Sequence, residues 1–233
     1  MSSMELLKAY LASFTGIDGG NPRGPVWICG IEYGGEFDVP DEDMKPQLEP
    51  ASWDPAFRAK HAKYYRWPYH QKVAKLLVSL RQLRIDPAAE PDLASWRAYM
   101  ATELYDREGD SFKLNLFPFS SPSVQAAGWD EAHRVLAGVS SKTEYYNLCR
   151  GVRFRFLGEL RRTFQPRVIV GTGKGFQEDF TSAFGFSGMH FEEVTLQYRQ
   201  SSRVCYLYRD GSCTLIVSPF LGGPSGVSSD GLI

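Results

Sequence analysis

Four short apolar segments, each followed by glycine or proline, constrain the fold of this chain more than any other feature. They are residues 25–31, 111–118, 167–171 and 213–217. Short apolar runs bounded by turn residues are typical of strands buried on both faces of a parallel sheet. Helical stretches separate most of these strands. This order predicts a three-layer α/β/α sandwich with a mostly parallel central sheet, formed by residues 1–233 as one domain.

Helical spacing of apolar residues supplies the connecting elements. It predicts helices over residues 4–14, 73–83, 91–104, 141–164 and 176–184. The helix at 141 begins with a capping-box pattern, Ser141 and Glu144. Residues 191–198 and 204–208 alternate in polarity and predict two more strands. Residues 36–68 have no clear period, and irregular segments of this length are often functional.

The composition excludes several classes of protein. Lys and Arg number 26 against 27 Asp and Glu, so total charge cannot drive nucleic-acid binding. No apolar run is long enough to span a membrane, and the first ten residues lack the pattern of a signal peptide. We therefore expect a cytoplasmic protein with reduced thiols. Its four cysteines, widely spaced without a CxxC pair, are Cys29, Cys149, Cys205 and Cys213.

Metal and cofactor motifs do not emerge from the sequence. The four histidines have no ligand spacing, which predicts a protein without a metal site. A dinucleotide fingerprint starting at Gly171 would need glycine at Phe176. A phosphate-binding Walker loop would need glycine at Val168 and Ser or Thr at Gly175. We therefore expect no cofactor, and favour neither a dinucleotide enzyme nor a P-loop NTPase.

The chemically unusual residues follow the predicted strands. In parallel α/β sheets, ligands bind beyond the carboxyl ends of the strands. Here those ends carry Glu32, Asn115, Gly171 and Ser218. A buried asparagine costs stability unless its amide groups have hydrogen-bonding partners, so Asn115 is the most informative of the four. The sequence predicts that Glu32, Asn115 and Ser218 line one cavity.

The same segments resemble the motifs of the uracil-DNA glycosylase superfamily. The first loop, residues 30–34, is similar to that family's Gly-x-x-Pro-Gly loop, and Lys113-Leu114-Asn115 is similar to its apolar-apolar-Asn strand. Residues 168–171 match a third strand that runs into a glycine turn. Ser218-Pro219-Phe220 occupies the place of a His-Pro-Ser loop. The resemblance covers about residues 26–226.

The resemblance implies a metal-free DNA glycosylase that flips a base out of DNA. It implies that Glu32 activates the attacking water and that Asn115 reads the base. Ser218 takes the position of a catalytic histidine. The remaining substrate-binding positions that we infer are Gly30, Tyr33, Gly34, Phe37, Pro219 and Ser225; of these, Tyr33 and Phe37 are candidates for stacking on the base, and residues 218–225 replace the loop that enters the minor groove.

Two departures from the family pattern leave alternatives open. Tyr33 replaces the proline of the first loop, and Ser218 replaces the histidine that would stabilise the leaving base. Loss of one such electrostatic group costs on the order of 10²–10³ in rate. A non-catalytic nucleic-acid or nucleotide binder on the same fold is therefore the main alternative. An unrelated small-molecule hydrolase is a third.

Two groups of basic residues have two interpretations each. Arg58, Lys60, Lys63 and Arg66 are interleaved with aromatic residues, a mixture that suits single-stranded or double-stranded DNA as a partner. The same residues equally fit a solvated helix face. The residues Arg150, Arg153 and Arg155 have the same ambiguity, and His61, Tyr64, Tyr65 and Trp67 are the aromatic members of the first group.

Overall fold

A computed structural model of the chain describes residues 3–16, 19–34, 45–90, 92–125, 129–221, 226–227 and 229–232. Its strands are β1 (Gly19–Gly20), β2 (Val26–Gly30), β3 (Ser111–Asn115), β4 (Val168–Thr172), β5 (Phe191–Tyr198), β6 (Ser201–Arg209) and β7 (Thr214–Ser218). They form one sheet in the order β1-β3-β2-β4-β7-β6-β5. The four central strands, β3, β2, β4 and β7, are parallel, whereas β1, β5 and β6 pair antiparallel at the two edges. The prediction of an α/β fold with a mostly parallel central sheet is confirmed.

Seven α-helices accompany the sheet in the described part of the chain. They are α1 (Ser3–Leu11), α2 (Pro55–Lys60), α3 (Pro68–Ile85), α4 (Trp96–Thr102), α5 (Glu131–Ala137), α6 (Lys142–Phe164) and α7 (Gln177–Phe184). Helices α2 and α5 were not predicted, because six or seven residues are too few to show a helical period. Their caps hold them instead: the Asp54 carboxylate accepts a hydrogen bond from the backbone of Phe57.

Helices cover both faces of the sheet, because successive side chains of a buried strand point in opposite directions. Trp27 and Cys29 of β2 belong to a core shared with α1, α6 and α7. Val26 and Ile28 belong to a second core shared with α3 and α4. The alternation along this one strand therefore accounts for the two helical layers. No helix in the described ranges is long and apolar enough to cross a membrane.

The parallel register brings the carboxyl ends of the central strands to one edge. Gly30 of β2 pairs with Asn115 of β3, and Thr172 of β4 pairs with Ser218 of β7. The loops after β2 and β3 are joined by backbone hydrogen bonds, including one from Ser121 to Tyr33. This edge of the sheet therefore holds two linked loops, whose apolar residues, among them Ile31 and Phe117, belong to the first core.

Candidate functional site

A cavity of about 740 Å³ opens at the carboxyl edge of the parallel strands, and we call it the main cavity. Its walls come from the loops after β2 and β3, from the ends of the strands and from the segment that contains α2 and the start of α3. The described lining residues are Gly30, Glu32, Tyr33, Gly34, Ala51, Phe57, His61, Trp67, Pro68, Tyr69, His70, Lys113, Asn115, Ser121, Pro122, Ser123, Val124, Thr172 and Phe220.

Five of the residues selected from the sequence line this cavity. They are Gly30, Glu32, Tyr33, Gly34 and Asn115, and all belong to the first two strand ends. Ser218 and Pro219 are not among the described lining residues, although the next residue, Phe220, is. Phe37 and Ser225 lie outside the described residues.

Ser218 is predicted to line the same cavity as Glu32 and Asn115, but its hydroxyl bonds to nearby backbone. The side chain is buried, and its Oγ donates to the carbonyl oxygens of Pro219 (2.9 Å) and Gly171 (3.4 Å). A serine hydroxyl is short and finds acceptors in nearby backbone, which is a common local arrangement. Thr172, the register partner of Ser218, lines the cavity instead.

Glu32 is held by two donors. Its Oε1 accepts a hydrogen bond from Lys142 Nζ at 2.9 Å, and its Oε2 accepts one from Tyr146 Oη at 3.0 Å. Only 4% of the Glu32 side chain is exposed. Burial raises the pKa of Glu32 above its ordinary value, and the bonds from Lys142 and Tyr146 only partly oppose this effect. The carboxylate is therefore fixed in place and more basic than usual.

Lys142 connects the two loops to the first turn of α6. Besides Glu32, its Nζ donates to Ser121 Oγ at 2.8 Å and to the carbonyl oxygen of Ser123. These three acceptors use all the hydrogens of the ammonium group. Sequence analysis missed this residue. A lysine in the first turn of a helix is repelled by the positive end of the helix dipole, so its presence there indicates a stabilising partner elsewhere.

Lys113 and Asn115 form the floor of the main cavity. Lys113 is 2% exposed, and its Nζ donates to Asn115 Oδ1 at 2.7 Å and to the Leu114 carbonyl at 2.9 Å. The Asn115 amide nitrogen donates to the Gly16 carbonyl at 3.2 Å. A Cβ on Gly30 would lie 2.4 Å from Asn115 Oδ1, so any larger residue at position 30 would have to displace this amide. Sequence analysis assigns Lys113 no role beyond its place in the strand motif. A lysine in a buried strand is rarely unpaired, however, and so indicates a site.

Aromatic side chains form the opposite wall. The Tyr69 hydroxyl lies 3.1 Å from Thr172 Oγ1, and His70 Nδ1 lies 3.2 Å from the Tyr105 hydroxyl. Lys113 Nζ lies 5.5 Å from the centre of the Tyr69 ring. Flat aromatic walls over a floor with an amide and an ammonium group suit a planar ligand that carries carbonyl oxygens.

Two of the three basic residues of α6 that had two interpretations are engaged within the protein. Arg153 is fully buried and donates to the carbonyl oxygens of Ser13, Leu11 and Asn115. Arg150 pairs with Asp179 at 2.6 Å. These two residues therefore brace α6, and only Arg155 of that group is left for an external partner.

Among the residues described by the structure, no group of three or more His, Cys, Asp or Glu side chains is placed to hold a metal ion. No protein-family model matches the chain, and no curated protein sequence matches it significantly.

Proposed function

We propose that this protein hydrolyses the N-glycosidic bond of a uracil or another deaminated base that has been flipped out of DNA into the main cavity. The observation that carries this proposal is that Glu32 and Asn115 lie at the carboxyl ends of neighbouring strands and line the same cavity. A carboxylate and a base-reading amide at such strand ends are what the resemblance to uracil-DNA glycosylases implies. The proposal places the protein in base-excision DNA repair.

Base binding is assigned to the floor and the aromatic wall. A deaminated base presents a carbonyl oxygen beside an N–H group, and an amide can donate to the first and accept from the second. Gly16 takes one of the two N–H groups of the Asn115 amide, so within the described residues the other is available to a base. The volume of about 740 Å³ is typical of small-ligand sites and accommodates a nucleotide.

Glu32 is assigned to the water. In this mechanism its carboxylate orients a water molecule toward C1′ of the sugar and balances the positive charge that develops there. The water oxygen bonds to C1′ and passes a proton to the Glu32 carboxylate, while the base leaves as an anion with the electrons of the glycosidic bond and takes up a proton from solvent. Lys113 adds positive charge at the cavity floor, where the departing base becomes negative.

A non-catalytic nucleic-acid or nucleotide binder is the second candidate function. Two observations favour it. The Glu32 carboxylate is already engaged by Lys142 and Tyr146, and the Ser218 hydroxyl bonds to backbone carbonyls rather than lining the cavity. In that case the main cavity would hold a base without breaking its bond to the sugar.

An excision assay separates the two candidates. Single- and double-stranded oligonucleotides with uracil, hypoxanthine or xanthine are incubated with the protein, and strand cleavage at abasic sites is scored after alkali. We expect product from the wild type and from Glu159→Gln, which changes an exposed carboxylate on α6, but none from Glu32→Gln. Salt-dependent DNA binding without product would support a nucleic-acid binder, and absence of both would contradict excision and nucleic-acid binding and leave a binder of free nucleotides.

A cytoplasmic location belongs to the same proposal. All four cysteines are buried and unpaired. Free thiols are typical of proteins in reducing compartments, where disulfides do not persist. This supports the location that the sequence predicts.

A further inference from the structure

A second cavity, of about 450 Å³, adjoins the same segment of chain as the main cavity, and we call it the side cavity. Its lining residues are Tyr64, Tyr65, Arg66, Gln71, Trp96, Arg97, Met100 and Ala101. Trp67 and Pro68, which follow directly in the chain, line the main cavity. The segment 64–68 therefore contributes to both cavities, and a ligand that extends past this segment would meet both.

The side cavity offers positive charge and an exposed ring. The Arg97 guanidinium lies over Trp96, 4.6 Å from the ring centre, and the Arg66 guanidinium lies 5.5 Å from the Tyr65 ring. Both arginines are exposed, and neither has a carboxylate within ion-pair distance in the described part of the chain. A guanidinium packed on a ring keeps its N–H edge for a phosphate.

Hydrogen bonds within the protein hold the backbone that carries the Tyr65 ring. Tyr64–Arg66 forms a 3-10 turn, in which the backbone N–H of Trp67 donates to the Tyr64 carbonyl at 3.0 Å. The side chain of Gln71 donates to the Tyr65 carbonyl at 2.7 Å. Tyr65 remains 49% exposed despite these bonds. Because the backbone that carries the exposed ring is already ordered, little backbone entropy is lost when a ligand stacks on it.

We propose that the side cavity binds the nucleotide adjacent to the one held in the main cavity, and that the DNA is single-stranded there. Its base stacks on Tyr65, and Arg66 and Arg97 bind the flanking phosphates. A base paired in a duplex cannot offer its face to Tyr65, so an unpaired strand is the ligand that fits. The inference rests on the proposed function in one respect, the nucleotide that it places in the main cavity. The binding of single-stranded DNA at the side cavity does not depend on catalysis.

Binding is tested with an oligonucleotide that contains no damaged base. The fluorescence anisotropy of a labelled oligo(dT) is measured against salt for the wild type, for Arg66→Ala with Arg97→Ala, and for the control pair Arg162→Ala with Arg167→Ala, which changes exposed arginines near the end of α6 and just before β4. We expect the Kd of the first pair to rise at least about tenfold, and its salt slope to fall by about 1.4 for two lost phosphate contacts. The control pair keeps the wild-type Kd.

Stacking is tested at Tyr65. Tyr65→Ala should weaken binding of the single strand about tenfold or more, whereas Tyr65→Phe, which keeps the ring, should bind like the wild type. Equal affinity of the wild type for single strand and duplex, or an unchanged Kd in the arginine pair, overturns the inference. Because no excision is scored here, an inactive protein that binds the strand in this way contradicts only the proposed function.

Discussion

The two ends of the cavity-bearing sheet edge differ in what their polar side chains do. At the β2–β3 end, Glu32 and Lys142 reach across loops and meet beside the main cavity. At the β7 end, the Ser218 hydroxyl bonds to the backbone next to it. In the sequence both ends are followed by turn residues, glycine after β2 and proline after β7. The comparison teaches that two strand ends can use a polar residue differently: Glu32 is bound by a distant helix, whereas Ser218 is satisfied by the backbone beside it.

The two ends also differ in electrostatic cost. Glu32, Lys113 and Lys142 are buried ionisable groups, each with 4% or less of its side chain or residue exposed. Burial of charge costs free energy, and here the ion pair between Glu32 and Lys142 and the hydrogen bonds from Lys113 to Asn115 and Leu114 oppose that cost. The β7 end contains a neutral hydroxyl with local partners and carries no such cost. Ionisable groups buried beside a cavity in this way are expected at functional sites.

Removal of Lys142 should have the largest effect on the β2–β3 end. Lys142→Met keeps the length of the side chain but leaves the buried Glu32 carboxylate without its ammonium partner, so we expect a loss of about 3 kcal/mol in the free energy of unfolding. Urea unfolding followed by tryptophan fluorescence measures it. The control is Lys63→Met at an exposed position, expected within about 0.5 kcal/mol of wild type. A loss below about 1 kcal/mol for Lys142→Met would mean that the pair contributes little.

Gly30→Ala should disturb the cavity floor by a steric route. Its new Cβ would stand 2.4 Å from Asn115 Oδ1 and 3.3 Å from Lys113 Nζ, so the floor must shift, at an expected cost of about 1–3 kcal/mol. Gly175→Ala is the matched control, because nothing described lies within 4 Å of its Cβ. The same unfolding assay compares them. Equal stability of the two variants would show that the floor yields easily.

The pH dependence of stability tests the state of Glu32. Because burial raises the pKa of Glu32, the folded protein binds this proton more tightly than the unfolded chain. Its contribution to stability is complete below the ordinary value of 4.5 and is lost as pH rises through the folded pKa. The stability of the wild type relative to Glu32→Gln should therefore fall with rising pH in that window. An increase would mean that Lys142 outweighs burial.

The strands were predictable because each signals itself locally. Residues 25–31 and 167–171 are apolar runs with turn residues on both sides, and such runs need no tertiary information to be recognised. Trp27 and Val26 could both be assigned to a core on the same grounds. Helices α2 and α5 could not, since their capping residues, Asp54 and Asp130, act at single positions without a period.

Side-chain partners in the site could not be predicted, because they depend on three-dimensional placement. Lys142 lies 110 residues from Glu32 in the sequence, and nothing local indicates that the two meet. Asn115 was recognised as unusual, but its engagement by Lys113 and Gly16 became visible only with the strands in register. For Ser218 the strand-end position could be predicted from the sequence, but the hydrogen bonds of its hydroxyl could not.

Ser218→Ala should have the smallest effect, and it tests the β7 end directly. The hydroxyl donates only to backbone carbonyls in the described structure, so its loss should cost about 1 kcal/mol or less in stability. If the protein excises bases, the rate should stay within about twofold of wild type, since no electrostatic group aimed at the leaving base is removed. The excision assay compares this variant with Asn115→Ala, which removes the amide at the cavity floor and should abolish product. A fall in the rate of Ser218→Ala of about a hundredfold or more is the size expected for the loss of an electrostatic group. It would show that the hydroxyl takes part in the reaction, and that the two ends of the sheet edge do not differ in this respect.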